Sequence, residues 1–203
     1  MTRLSRRAFT AAALAPLLAG CVGDGDPEAA AGPSTTTRPP SPTTAKPGSR
    51  AGRSAPVRLR IPSIGVDTPV IRLGLAADGT VEVPPVTAHD RAGWYRHSPV
   101  PGEVGPSVIL GHVTVGAHGD GVFRRLARLR RGDLIEARLE NGTAAVFAVS
   151  RVRTVAKADF PVQDVYGDVD RPELRLITCA GPRTDDGYPD NVIVFAAPGP
   201  GTP

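Results

Sequence analysis

Cys179 ends the short apolar run in "LRLITCAGPR", residues 174–183, with Gly181, Pro182 and Arg183 just beyond it. A thiol works as a nucleophile when a base or cation stands beside it and donors can meet a developing oxyanion. Four histidines could supply the base: His89, His97, His112 and His118. His112 follows the apolar "SVILGH", where a rigid strand could aim it into a cleft. The other three sit in polar or Gly-rich surroundings and read as loop residues. On residue type alone the plainer alternatives stand beside this one. A strand-end histidine need not react, and a cysteine at the end of an apolar strand can simply fill core.

The chain has one other cysteine, Cys21, and its fate bears on Cys179. The start, "MTRLSRRAFTAAALAPLLAGC", is basic and then apolar from Ala11 to Ala19. That apolar run is too short to span a bilayer, so it reads as a secretory signal over residues 1–20. Its end, "LLAGC", resembles a bacterial lipobox, which implies cleavage before Cys21 and acylation of its sulfur. "SRRAF" also resembles a twin-arginine export signal, though paired arginines occur in ordinary signals too. A lipidated Cys21 leaves Cys179 without a disulfide partner in the chain. An exported protein keeps such a thiol buried or in use.

Charge excludes one class of partner. The net charge is +4, but residues 1–20 hold Arg3, Arg6 and Arg7 and no acid, so their removal leaves 21 basic against 20 acidic residues. That balance gives no footprint for nucleic acid. Residues 21–55, the acylated cysteine and then a stretch such as "GPSTTTRPPSPTTAKPGS", are too poor in apolar side chains to fold and read as an extended tether. Residues 56–198 are one domain's worth of chain, followed by a short tail at 199–203.

That domain must position Cys179 and His112, and most of it reads as strands. Val57, Leu59 and Ile61 alternate with Arg58 and Arg60 in "VRLRI", the mark of a half-exposed strand. "SVILGH", "DLIEARL", "AAVFAVSRV", "LRLITC" and "NVIVFAA" follow as further strands. Asp78-Gly79 and Asn141-Gly142 are hairpin turn signals. Only "GVFRRLARLRRGD" predicts a helix, with Val122, Leu126 and Leu129 on one face and Gly132 at its end. The class is all-β, a closed barrel or a sandwich with one short helix.

Taken together, "IPSIGVDTPV", "AGWYRHSP", "GPSVILGHV", "FRRLARLRRGD" and "LRLITCAG" resemble a sortase, most closely the class F sortases of actinobacteria. The resemblance runs from about Val57 to Ala197. It implies an eight-stranded β-barrel with one or two short helices and a cysteine transpeptidase activity. Such enzymes cut an LPXTG-like sorting motif between Thr and Gly. Carried onto this chain, Cys179 attacks the Thr carbonyl and forms a thioacyl intermediate. His112 protonates the leaving amine and deprotonates the incoming one, while Thr178 and Arg175 belong to the substrate site. The implied partners are exported proteins with a C-terminal sorting motif, a peptidoglycan precursor or other amine acceptor, and the membrane through a lipid anchor. No cofactor is implied.

The arginine that sortases place after the cysteine departs from the pattern. Pro189 stands where an arginine can precede "DN" in class F, and the connection is short. Arg183 is the arginine between Cys179 and the last strand and so the catalytic candidate, with a solvated loop charge as the plain alternative. Arg175 could also serve in that role, since it alternates onto the strand face of Ile177 and Cys179. Asp185, Asp186 and Asp190 share one loop, too weak a signal to predict a metal. Trp94 and Tyr95 could flank a peptide but read as core.

Two other cysteine enzymes of the cell wall fit poorly. L,D-transpeptidases set a histidine close before the cysteine, and NlpC/P60 peptidases place the cysteine first; neither matches His112 and Cys179. A different class also stands: a lipid-anchored binding module on a sortase fold with little or no transpeptidation. The altered arginine motivates it, and an intact Cys179 and His112 argue against it.

Overall fold

A computed structural model describes residues 54–185 and 187–200. The signal reading of residues 1–20, Cys21 with the tether as far as residue 53, residues 201–203 and Asp186 lie outside the described residues. Ser54 and Ala55 belong to the folded part. The Ala55 carbonyl accepts the Glu140 N–H at 2.9 Å, and Ser54 Oγ accepts the Asn141 N–H at 2.9 Å.

Eight strands close into a barrel. They are β1 (Pro56–Ile61), β2 (Val66–Leu73), β3 (Ala92–Tyr95), β4 (Gly105–Leu110), β5 (Leu134–Leu139), β6 (Ala144–Ala156), β7 (Pro172–Ala180) and β8 (Asp190–Pro198). Around the barrel the order is β1-β2-β3-β4-β7-β8-β6-β5, and β5 returns to β1 with Leu59 opposite Ala137. Closure leaves no free edge among the described strands. Two pairings are parallel, β2 with β3 and β4 with β7. The second matters most, because parallel neighbours bring their C-terminal ends to the same rim.

Alternation along each strand divides the apolar residues between two sides. Leu59, Ile61, Ile109, Ile135, Phe147, Leu174, Leu176 and Val194 fill the interior with Phe123 and Leu126. Val108, Ile177, Ile193 and Phe195 face outward and are capped by Val165 of the short helix α1 (Val162–Tyr166). Tyr95, Leu110, Phe160 and Tyr166 pack around that second cluster. The outer faces of β4 and β7 are therefore the walled, apolar part of the barrel's exterior.

The helix expected over residues 121–132 forms as a chain of tight turns with a 3-10 segment at Leu126–Arg128. Its backbone bonds run three residues back: Arg124 to Gly121, Leu126 to Phe123, Arg128 to Arg125 and Leu129 to Leu126. Buried side chains recur at the same interval, at Phe123, Leu126 and Leu129. A repeat of three suits tightened turns rather than the 3.6-residue α-helix that Val122, Leu126 and Leu129 suggested. Among the described residues, no helix is long and apolar enough to cross a membrane.

Candidate functional site

Cys179 lies next to the end of β7 and is partly exposed. It follows Ile177 on the outer face by alternation, and it pairs with Asn191 of β8. Along the parallel pairing Gly105 stands opposite Pro172 and Leu110 opposite Ile177. The Gly111 N–H continues that ladder onto the Ile177 carbonyl at 3.1 Å. Carried two residues past Leu110, the register sets His112 level with Cys179, on the same outer face. The two side chains share no hydrogen bond.

Several backbone contacts fix His112. Its carbonyl accepts the Phe123 N–H at 2.9 Å, and the next carbonyl, of Val113, accepts the Gly121 N–H at 3.0 Å. A Cβ on Gly121 would come within 2.3 Å of the His112 oxygen, and one on Gly111 within 2.6 Å of the Phe123 ring. Both glycines are thus required by close approach. The His112 ring reaches the segment between β2 and β3, where Nε2 lies 2.6 Å from the Pro84 carbonyl oxygen. Beyond His112, Thr114 Oγ1 and Tyr188 Oη share a hydrogen bond of 2.6 Å, joining this segment to the β7–β8 loop.

On the same outer face, nearer the start of β4, lies a cleft of about 840 Å³. Val108, Tyr95, Phe160, Val162 and Tyr166 give it apolar and aromatic walls, with Asp168 and His97 among its polar lining. Burial holds the Tyr166 hydroxyl above the ordinary tyrosine pKa, and the neighbouring Tyr95 adds to the shift. From Val108 to His112 is four strand residues, or about 13 Å at ~3.3 Å each. An extended peptide could therefore rest in the cleft and still reach Cys179.

The remaining sequence candidates fall elsewhere. Thr178 is 4% exposed and points into the barrel, the side opposite Cys179, so its hydroxyl has no access to a peptide on the outer face. Arg175 shares the outer face but is buried beneath it. Its guanidinium donates to Glu173 Oε2 at 2.5 Å and to the Asp164 carbonyl at 3.1 Å, and lies over the Phe195 ring. Those contacts tie α1 to β7. They make Arg175 a support of the cleft wall rather than a group free to hold substrate. Arg183 is exposed in the β7–β8 loop and makes no hydrogen bond or ion pair to another described residue.

Trp94 is in the core, its indole N–H donating to the Pro99 carbonyl at 3.2 Å, whereas Tyr95 lines the cleft. His89 and His118 stack with ring centres 4.4 Å apart; His89 caps a 3-10 turn at Val86–Ala88, and His118, expected in a loop, ends another at Gly116–His118. Among the described residues no group of three or more His, Cys, Asp and Glu is placed to hold a metal ion. Sequence reasoning gave no signal for Pro84 or Tyr188, which reach the site only through the fold.

The strand that carries Cys179 and the strand that leads to His112 run parallel on a closed barrel, beside a cleft of about 840 Å³. Comparison with known proteins gives the family. The sortase domain matches residues 59–199. The fold is similar to sortase C-1 from Actinomyces oris, at TM-score 0.54 and 22% identity over 70% of this chain and 73% of that one. It is similar to a lid mutant of sortase A from Corynebacterium diphtheriae, at TM-score 0.56 and 21% identity over 74% and 73%. A sortase D5 transpeptidase from Clostridium perfringens gives TM-score 0.51 and 22% identity over 71% and 78%. No curated protein matches the chain in sequence. The chain belongs to the sortase family. Sortases are cell-surface or exported cysteine transpeptidases that act on a sorting motif and an amine acceptor.

Proposed function

We propose that this sortase is of the class F kind and cleaves an LPXTG-like motif between Thr and Gly. The Cys179 thiolate attacks the Thr carbonyl, and collapse of the tetrahedral adduct breaks the C–N bond. The departing amine takes its proton from His112, leaving a thioester on Cys179. An acceptor amine, from a peptidoglycan precursor or another amine donor, then attacks that thioester, gives its proton to His112 and releases the thiolate.

The observation that carries this reading is the shared level of His112 and Cys179 along the β4–β7 register, with the cleft about 13 Å away on the same face. In an extended motif, the Leu side chain lies three residues, or about 10 Å, before the Thr carbonyl. Apolar walls at that distance suit a Leu-Pro pair. Arg183 is the candidate for the substrate or the oxyanion, because its exposed guanidinium has no partner among the described residues. Acylation of Cys21, with residues 22–53 as a tether, would hold the barrel at the outer face of the cytoplasmic membrane. Exported substrates and lipid-linked acceptors meet there.

The test incubates the full chain with a pool of LPXTG-like peptides and reads its intact mass, with Cys179→Ala beside it. A peptide-sized adduct on the parent and none on the variant supports the thioacyl step and identifies the preferred motif. No adduct with any peptide, together with a thiol inert to small reagents, would leave the binding-module reading instead.

A further inference from the structure

The contact between His112 Nε2 and the Pro84 carbonyl oxygen, at 2.6 Å, assigns a hydrogen. A carbonyl oxygen only accepts, so the ring nitrogen must be the donor. Nε2–H is therefore committed to the segment between β2 and β3. Nδ1 makes no hydrogen bond to another described residue, and it is the ring nitrogen left for proton exchange.

The segment that offers this carbonyl is built to be stiff. Pro84 has its φ fixed by its own ring, and Pro85 after it holds Pro84 in the extended region. Pro85 itself has φ −63° and ψ 149°, a polyproline conformation. Pro84 is buried, so its carbonyl has little water to compete for. The neck of the segment is closed as well. The Gly74 N–H donates to Glu82 Oε2 at 2.5 Å, the Glu82 N–H returns to the Gly74 carbonyl, and the Ala76 N–H reaches the Thr80 carbonyl. A two-proline bar thus presents one oxygen from a closed hairpin to one histidine nitrogen.

We propose that the Pro84 carbonyl is a positioning group for His112, holding it as the Nε2–H tautomer so that Nδ1 exchanges protons with Cys179 and the amines. This rests on His112 as the proton partner of Cys179. When the thiol gives its proton to Nδ1, the ring becomes cationic and its Nε2–H bond to Pro84 turns charge-assisted. The carbonyl then does with a backbone dipole what a carboxylate does behind the histidine of other nucleophilic enzymes. The fixed dipole needs no reorganisation during the step.

Nitrogen-15 labelling of the full chain tests this, with the His112 ring assigned by loss of its signals in His112→Asn. At a pH where the ring is neutral, two-bond proton–nitrogen correlations should show the proton on Nε2. That proton should exchange with water at least tenfold more slowly than that of the exposed His97. Pro84→Gly combined with Pro85→Gly frees the bar. The pair should lose the slow proton and lower kcat about tenfold to a hundredfold with little change in KM. Its Tm should stay close to the parent's. Pro84→Ala, still extended before Pro85, should restore most of both. A proton on Nδ1, or Nε2–H exchange as fast as that of His97, overturns the proposal. So does a double variant that loses the slow proton and keeps kcat. Failure of the parent to acylate with any peptide would sink the transpeptidase reading, and the resonance arm, which needs no substrate, would still decide the tautomer.

Discussion

Thr114 Oγ1 and Tyr188 Oη lie 2.6 Å apart and form the side-chain link between the segment that follows His112 and the loop that follows Cys179. The last ladder contact holds Gly111, one residue past the end of β4, to Ile177, so the hydroxyl pair carries the alignment beyond it. Tyr188→Phe and Thr114→Val each remove it without removing bulk. Each is expected to lower kcat/KM several-fold, and the double variant to be little worse than either one. A double-mutant cycle should give a coupling of about 0.5–1.5 kcal/mol. Strictly additive losses would show that the two hydroxyls act apart.

The glycine before the histidine has a steric cause. A Cβ at Gly111 would meet the Phe123 ring at 2.6 Å, and that ring is fully buried beneath the His112 backbone. Gly111→Ala is expected to destabilise the protein by about 1–3 kcal/mol, the cost of overpacking. Urea unfolding reads the loss. Phe123→Leu combined with Gly111→Ala should cost less than the two single changes added together, because the smaller side chain makes room for the methyl. A simple sum would mean that the ring is not what the alanine strikes.

Arg175 and Glu173 illustrate a buried pair that serves the wall of the cleft. The Arg175 side chain is 4% exposed and that of Glu173 is 12%, with 2.5 Å between them. Arg175→Ala leaves Glu173 without that partner and drops the bond to the Asp164 carbonyl. Glu173 keeps its pair with Arg171 at 2.8 Å, so about 1–3 kcal/mol of stability should go with it. Replacing both, as Arg175→Met with Glu173→Leu, should recover much of the loss because no buried charge is orphaned. Peptide adduct formed per folded molecule separates this role from a direct one. It should fall modestly in the double variant, whereas a side chain that gripped substrate would lose nearly all of it.

Tyr166 gives a pH dependence with a definite sign. Its hydroxyl is held above the ordinary tyrosine value, first by burial and then by Tyr95, whose ring meets it edge-on at 6.3 Å. The neutral form is favoured by folding. Its contribution is full below about pH 10, the unfolded value, and is lost as pH rises through the folded one. Alkaline titration of tyrosinate absorbance should show a late step that Tyr166→Phe removes, among three tyrosines in the chain. Unfolding stability above about pH 10 should fall more steeply in the parent than in Tyr166→Phe. An unchanged titration curve in the variant would contradict this.

What the sequence made legible was local. Val57, Leu59 and Ile61 gave β1 by alternation, Asn141-Gly142 gave the turn between β5 and β6, and "SVILGH" and "LRLITC" gave the two strands of the site. β3 has four residues and α1 five, too few for either period to register. The 3-10 segment was misread because Val122, Leu126 and Leu129 satisfy a helical stripe as well as Phe123, Leu126 and Leu129 satisfy a repeat of three. Other parts of the site depend on contacts between distant residues. Pro84 stands 28 residues before His112, and Thr114 and Tyr188 are 74 apart. Motif spacing says nothing of such partners, since only barrel closure and the parallel β4–β7 pairing bring them together. The faces of Thr178 and Arg175 follow from alternation, but the burial of Arg175 depends on where α1 lands.

Arg183 is the residue on which the departure from the family pattern turns. Pro189 occupies the position before Asp190, and Arg183 stands earlier in the same loop, exposed and without a partner among the described residues. An exposed side chain with no contacts contributes little to folding, so Arg183→Ala should change stability by no more than about 0.5 kcal/mol. If its guanidinium meets the substrate or the oxyanion, kcat/KM should fall about 10²-fold, the scale of losing one such donor. Arg183→Lys should restore only part of it, because an ammonium cannot offer the planar paired donors of a guanidinium. Pro189→Arg in the Arg183→Ala background then asks whether the usual position can take over. Recovery there would place the loss in the missing guanidinium. An Arg183→Ala variant as active as the parent would remove Arg183 from the site and leave the oxyanion to backbone donors.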